Sequence, residues 1–141
     1  MFSEFMRELF RCANIIHTRL RHNCVLNIDL FRCNIIDSPL CSCGKPEDTY
    51  HYFFNCNRYA IQRNELFNSI FRMKNLCIVN THVLLWGDNS LNDLENKHLF
   101  QFVQLFIKKS GRFSWFSFFF SYVLYVMHSC TAYIVYLYFN T

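Results

Sequence analysis

The tightest constraint on this chain is a knot of metal-ligand side chains, Cys41, Cys43, His51 and Cys56, in the segment PLCSCGKPEDTYHYFFNC. Thiolate sulfur and imidazole nitrogen in the order C-x-C-x7-H-x4-C suit zinc, which takes four such ligands in a tetrahedron at structural sites. Gly44 lets the backbone turn after the second sulfur. His51 and Cys56 stand a little over one helical turn apart, so a short or frayed helix can present both to one ion, with Asp48 or Thr49 capping its start. Four ligands leave no open coordination position, so the expected ion is structural, and Glu47 and Asp48 read as turn and cap residues rather than as a general base. The alternative is three buried cysteines and a coincidental histidine. The segment has little apolar bulk besides Tyr50, Tyr52, Phe53 and Phe54, so metal binding is expected to supply much of what orders residues 39–56.

Around this segment the pattern is helical. Both prolines and one of the three glycines fall inside it, and nowhere else is turn chemistry so concentrated. Before it, Phe2, Phe5, Met6, Leu9, Phe10 and Ala13 recur at helical spacing, followed by Ile15, Ile16 and Leu20. A break is expected near Arg21 to Asn23. A second helix starts at Asn27 or Asp29 and runs to Asp37-Ser38-Pro39, where proline stops it. After the segment, Asn57 to Lys74 is helical with Tyr59, Leu66, Ile70 and Met73 on one stripe. A short apolar run, Thr81 to Trp86, ends at Gly87. Ser90 then reads as the N-cap of a helix from Leu91 to Lys109 that buries Leu94, His98, Leu99, Phe102, Leu105 and Phe106. The expected core is Phe2, Leu9, Leu20, Leu26, Phe31, Leu66, Ile70, Leu85, Phe102 and Phe106. The expected fold is mainly α: a small helical domain over residues 1–112 with a zinc-knuckle loop, then a hydrophobic C-terminal helix.

Charge is partitioned sharply. All 14 basic and 10 acidic residues lie between positions 1 and 112, and none follows. The stretch 113–139 is long enough to cross a hydrocarbon core. Lys108, Lys109 and Arg112 flank its N-terminal side, which predicts a tail anchor with the folded domain cytosolic. Its richness in Phe, Tyr and Ser is equally what translated AT-rich non-coding DNA would give. The net charge of +4 permits attraction to phosphate backbones without demanding it. The eight cysteines would suit a disulfide framework in a secreted chain. No signal peptide is read at the N-terminus, where Glu4, Arg7, Glu8 and Arg11 interrupt the apolar residues. An intracellular, reducing setting favours metal binding by the clustered cysteines. Cys12, Cys24, Cys33, Cys77 and Cys130 are scattered singly and are expected to be buried apolar residues.

The stretch from His17 to Arg63, HTRLRHNCVLNIDLFRCNIIDSPLCSCGKPEDTYHYFFNCNRYAIQR, resembles the zinc-binding region that follows the polymerase and ribonuclease H-like parts of many non-LTR retrotransposon reverse transcriptases. The likeness lies in the basic segment Thr18 to Arg21, the Leu26-Asn27 pair, Pro39, C-x-C-G, an acidic residue before the histidine, H-x4-C, and the Arg58-Tyr59 pair. LLWGDNSL and the helix reaching Lys109-Ser110-Gly111-Arg112-Phe113 extend it to roughly residues 15–113. The resemblance implies a metal-ligating role for Cys41, Cys43, His51 and Cys56, and an origin as a detached C-terminal piece. It implies no polymerase activity, because no Tyr-x-Asp-Asp is present to hold magnesium.

No motif pairs a nucleophile with a base, so catalysis and a small-molecule substrate are not expected. Association with RNA or DNA is expected to involve Arg19, Arg21 and Arg32, helped by His22, with Tyr50, Tyr52 and Tyr59 as surfaces for stacking bases. The competing reading is a membrane-attached protein held by 113–139.

Overall fold

The computed structural model describes residues 2–73, 76 and 78–113, with side chains from residue 11 onward. The chain divides into two units, Met1–Ser110 and Gly111–Thr141. The expected tail helix lies outside the described residues beyond Phe113, as do Cys77 and Cys130. Among the described residues, no helix is long and apolar enough to cross a membrane.

The first unit is mainly helical. Its α-helices are α1 (Phe2–Arg21), α2 (Asn27–Arg32), α3 (Ala60–Ile70), α4 (Thr81–Trp86) and α5 (Asp93–Lys109). A π-turn, His51–Asn55, and a 3₁₀ turn, Asn57–Tyr59, lead into α3. The β-type pairing among the described residues is one antiparallel bridge, Leu40 to Pro46. α5 packs against both α1 and α3, and α4 closes against α1 and α5.

Among the described side chains of α1, the buried positions are Ala13, Ile16, His17 and Leu20, the i, i+3, i+4, i+7 stripe of an amphipathic helix. The helix breaks where expected: Asn23 takes φ 49°, a left-handed conformation that asparagine tolerates. α2 starts at Asn27, with the Asp29 carboxylate accepting from the Leu26 N–H (3.4 Å). It does not run to Pro39. Asn34 adopts φ 55°, Asn34 N–H donates to Phe31 O and Ile35 N–H to Leu30 O. That is a Schellman ending with asparagine in the left-handed position. Phe31, expected in the core, is therefore on a short helix that buries Leu26 and Asp29 instead, and it is 43% exposed.

α3 starts at Ala60 rather than Asn57 and ends at Ile70, with Tyr59, Leu66 and Ile70 buried. α4 ends at Gly87, whose φ is 83°; a Cβ there would run into Asn96 Oδ1. The cap of α5 is Asn92, not Ser90. Asn92 and Glu95 form a reciprocal capping box, each side chain accepting from the other's N–H at 2.9 Å. Its buried face is Leu99, Val103, Phe106 and Ile107, while Leu94, His98 and Leu105 are exposed and Phe102 half-buried. The expected stripe was rotated because α5 sits between two partners. Phe100 faces His17 of α1, ring centroids 5.2 Å apart, and Phe102 lines the α3 side with Leu66. The centre of the buried arc accordingly falls at Val103.

Of the expected core, Leu20, Leu26, Leu66, Ile70, Leu85 and Phe106 are buried. The side chains of Phe2 and Leu9 lie outside those described. Cys24 and Cys33 are exposed and Cys12 is half-buried, against the expectation that single cysteines are interior. Cys24 follows the α1 break and Cys33 caps α2, so both sit at helix ends where the chain turns outward.

Candidate metal centre

Two local structures supply the ligands. The first is a hairpin over residues 39–47. Cys41 N–H donates to Lys45 O (2.7 Å), Gly44 N–H to Cys41 O (2.8 Å), and Glu47 N–H to Pro39 O (2.9 Å). Gly44 holds φ 85°, which a residue with a Cβ would resist. The hairpin brings Cys41 and Cys43 to one side.

The second is the π-turn. In a regular α-helix a fifth residue lies about 140° around the axis from the first, so His51 and Cys56 would diverge. Cys56 N–H instead donates to His51 O (2.8 Å). This i→i+5 bond widens the turn and brings the fifth residue back over the first. Asp48 caps the start, its carboxylate accepting from His51 N–H at 2.6 Å.

The four ligand atoms lie within 4.8 Å of one another. Cys41 Sγ and Cys56 Sγ are 3.7 Å apart. Two sulfurs each about 2.3 Å from one tetrahedral ion would stand about 3.8 Å apart, whereas a disulfide would need about 2.05 Å. Cys43 Sγ and His51 Nε2 are 3.1 Å apart, tighter than the roughly 3.5 Å of a loaded tetrahedron. The residues present fit a metal ion.

Thiol electrostatics follow the same geometry. Burial pushes the Cys41 thiol up, but the Cys43 backbone N–H and the side chains of His51, Cys56 and Cys43 outweigh it and hold Cys41 below the usual thiol range. Burial pushes the Cys56 thiol up, and the neighbouring Cys41 adds to that against the Arg58 N–H. Each of these sulfurs thus meets an amide two residues further on, from Cys43 and from Arg58, an arrangement that stabilises thiolate ligands.

Two long-range supports were not legible in the sequence. Glu47 is 1% exposed; its Oε2 accepts from Asn27 N–H (3.1 Å), its carbonyl from Ile28 N–H (3.3 Å), and Asn27 Nδ2 donates to Leu40 O (2.6 Å). These bonds tie the hairpin to the start of α2. Glu47 is a cap residue, as expected, but for a helix twenty positions earlier. Behind the π-turn, Tyr52 and Phe53 are fully buried, with ring centroids 5.2 and 5.4 Å from Phe106 of α5. Tyr59 stacks edge-on against Tyr52 at 5.2 Å.

The expected nucleic-acid residues fare unequally. Arg32 is exposed and Arg19 half-buried. Arg21 is turned inward: its Nε donates to Leu85 O, and its guanidinium lies over Trp86 (5.3 Å) and Phe100 (5.0 Å). Tyr52 and Tyr59 are core residues and present no face to solvent, so only Tyr50 of the three expected stacking rings is open, at 57% exposure. Tyr50 instead begins a row with Phe54, Phe67 and Phe71, exposed at Tyr50 and Phe71 and half-buried at Phe54 and Phe67, with successive centroids 5.3, 5.5 and 6.1 Å apart.

No family model matches the chain, and no curated protein and no solved structure matches it.

Proposed function

We propose that the chain is a zinc-binding module without catalysis of its own, similar to the C-terminal part of a retroelement reverse transcriptase and associating with nucleic acid. The observation that carries the metal reading is the convergence of Cys41, Cys43, His51 and Cys56, ligand atoms within 4.8 Å, in a donor set of three sulfurs and one nitrogen. That set suits zinc over harder cations. With all four positions taken by protein, the ion acts structurally, pinning the hairpin to the π-turn. Replacing Cys43 by Ser is expected to abolish uptake of one zinc per chain, read by metal analysis; unchanged zinc content rules the assignment out.

Nucleic-acid association rests on Arg19 and Arg32 as phosphate contacts, with Tyr50 as the available ring. Arg21 contributes little, because its guanidinium is already engaged. Binding to single-stranded RNA that weakens steeply with salt supports this part; no binding at low salt removes it. The uncharged stretch 113–139 favours a second reading, a tail-anchored protein with the helical domain in the cytosol. Full-length chain that resists carbonate extraction from membranes supports the anchor, and carbonate-soluble chain removes it.

A further inference from the structure

Three of the four ligands are sealed. Cys41 is 3% exposed, Cys56 0% and His51 5%, while Cys43 faces solvent. A metal-bound cysteine is a thiolate, and the thiolate is the form that reacts with electrophiles. Solvent access is the other determinant of cysteine oxidation, and within this cluster it singles out Cys43. A second sulfur for resolution is already within 4.8 Å.

We infer that the centre is an oxidant-responsive metal switch, in which peroxide attacks Cys43 and expels the ion. This rests on the zinc reading above. The Cys43 thiolate attacks one peroxide oxygen; the O–O bond breaks, giving Cys43 sulfenic acid and hydroxide, which takes a proton to become water. The Cys56 thiolate then attacks the Cys43 sulfur. The S–S bond forms, the S–O bond breaks, and the departing hydroxide takes a second proton. Two electrons pass from the two thiolates to one peroxide. Cys56 is the resolving residue, because a bridge from Cys43 to Cys41 would span a single residue inside a hydrogen-bonded hairpin and strain the disulfide. Loss of two of four ligands releases the ion, and the Cys43–Cys56 disulfide takes its place as the link between the hairpin and the π-turn.

Among the described residues, the exposed Cys24 and Cys33 are the competing targets. Burial pushes the Cys24 thiol up, which keeps it protonated and less reactive at neutral pH.

The test uses purified full-length chain loaded with zinc and titrated with hydrogen peroxide. Released zinc, remaining thiols and disulfide-linked peptides are followed together. The expected result is one zinc released per peroxide consumed, with a Cys43–Cys56 link, and recovery on adding reductant and zinc. The variant Cys43→His keeps four ligands but removes the exposed thiolate, so its peroxide-driven zinc release is expected to slow by about tenfold or more. If that variant fails to hold zinc, limited alkylation of the zinc-loaded native chain serves instead, with Cys43 expected to be modified before Cys41 and Cys56. Oxidation confined to cysteines outside the cluster with zinc retained overturns the inference, as does unchanged release from Cys43→His or first alkylation at a buried ligand. An untreated protein that takes up no zinc contradicts the metal reading itself, before oxidant is added, and the switch with it.

Discussion

The hairpin that carries Cys41 and Cys43 and the π-turn that carries His51 and Cys56 reach the same point by different means. In the hairpin only Cys41 and Glu47 are buried; Ser42, Cys43, Gly44, Lys45 and Pro46 are all exposed. Its order comes from a few backbone hydrogen bonds and the tie from Glu47 and Asn27 to α2. The π-turn buries Tyr52 and Phe53 completely against Phe106, so it belongs to the same core as α3 and α5. One half of the site is anchored by packing and the other by polar contacts. A bound ion would therefore join a soft element to a hard one. Metal was expected to order all of residues 39–56; the π-turn has its own apolar support, so the hairpin is the part an ion would order.

The largest effect is expected at Phe53. Phe53→Ala removes a fully buried ring and is expected to cost about 3–5 kcal/mol, lowering the denaturant midpoint of the whole helical unit with or without zinc. A loss under about 1 kcal/mol would mean that the π-turn is not part of the core.

The next effect lies away from the metal, at the α1–α4 contact. His17 is 1% exposed, and because Leu84 O can only accept, Nε2 must carry the proton in their 3.0 Å bond. Burial, then the Arg21 charge, lower its pKa from 6.5 to about 4, against an opposing pull from the Leu84 carbonyl. The folded state thus binds this proton less readily than the unfolded chain. The stability associated with neutral His17 is complete above pH 6.5 and is lost as pH falls toward 4. The loss amounts to about 3 kcal/mol. Urea unfolding of the metal-free chain across this range should show it, and His17→Gln, which keeps a donor but cannot titrate, should flatten it. An equal slope in both proteins would place the acid sensitivity elsewhere.

A smaller effect sharpens the distinction between the two halves. Glu47→Ala leaves the Asn27 N–H without its carboxylate and is expected to cost about 1–2 kcal/mol. Amide hydrogen exchange should accelerate across residues 39–47 while residues 51–56 keep their protection. Equal acceleration in both segments would mean that they open as one unit.

How much of this was legible in the sequence follows from the range of the interactions involved. The convergence of Cys41, Cys43, His51 and Cys56, the break at Arg21 to Asn23 and the Gly87 stop are local, written in neighbouring residues, and they appear as expected. Asn34 carried a readable stop signal for α2, but Pro39 was the stronger punctuation and drew the boundary too far. His17 sat on the apolar stripe between Ala13 and Leu20, so its burial could have been inferred. The rotation of α5, the inward turn of Arg21 and the tie from Glu47 to α2 depend on which helices meet, and no local pattern encodes that. Tyr52 and Tyr59 show the same limit. A ring beside a ligand reads equally well as a stacking surface or as core, and contact with Phe106 decided it.

In the proposed centre, three sulfurs and one imidazole hold a single zinc ion. X-ray absorption at the zinc edge on the loaded full-length chain tests it most directly. The account predicts one zinc per chain, with three sulfurs at about 2.3 Å and one nitrogen at about 2.0–2.1 Å. A first shell of oxygen and nitrogen alone, or a chain that takes up no zinc with its thiols reduced, would contradict it.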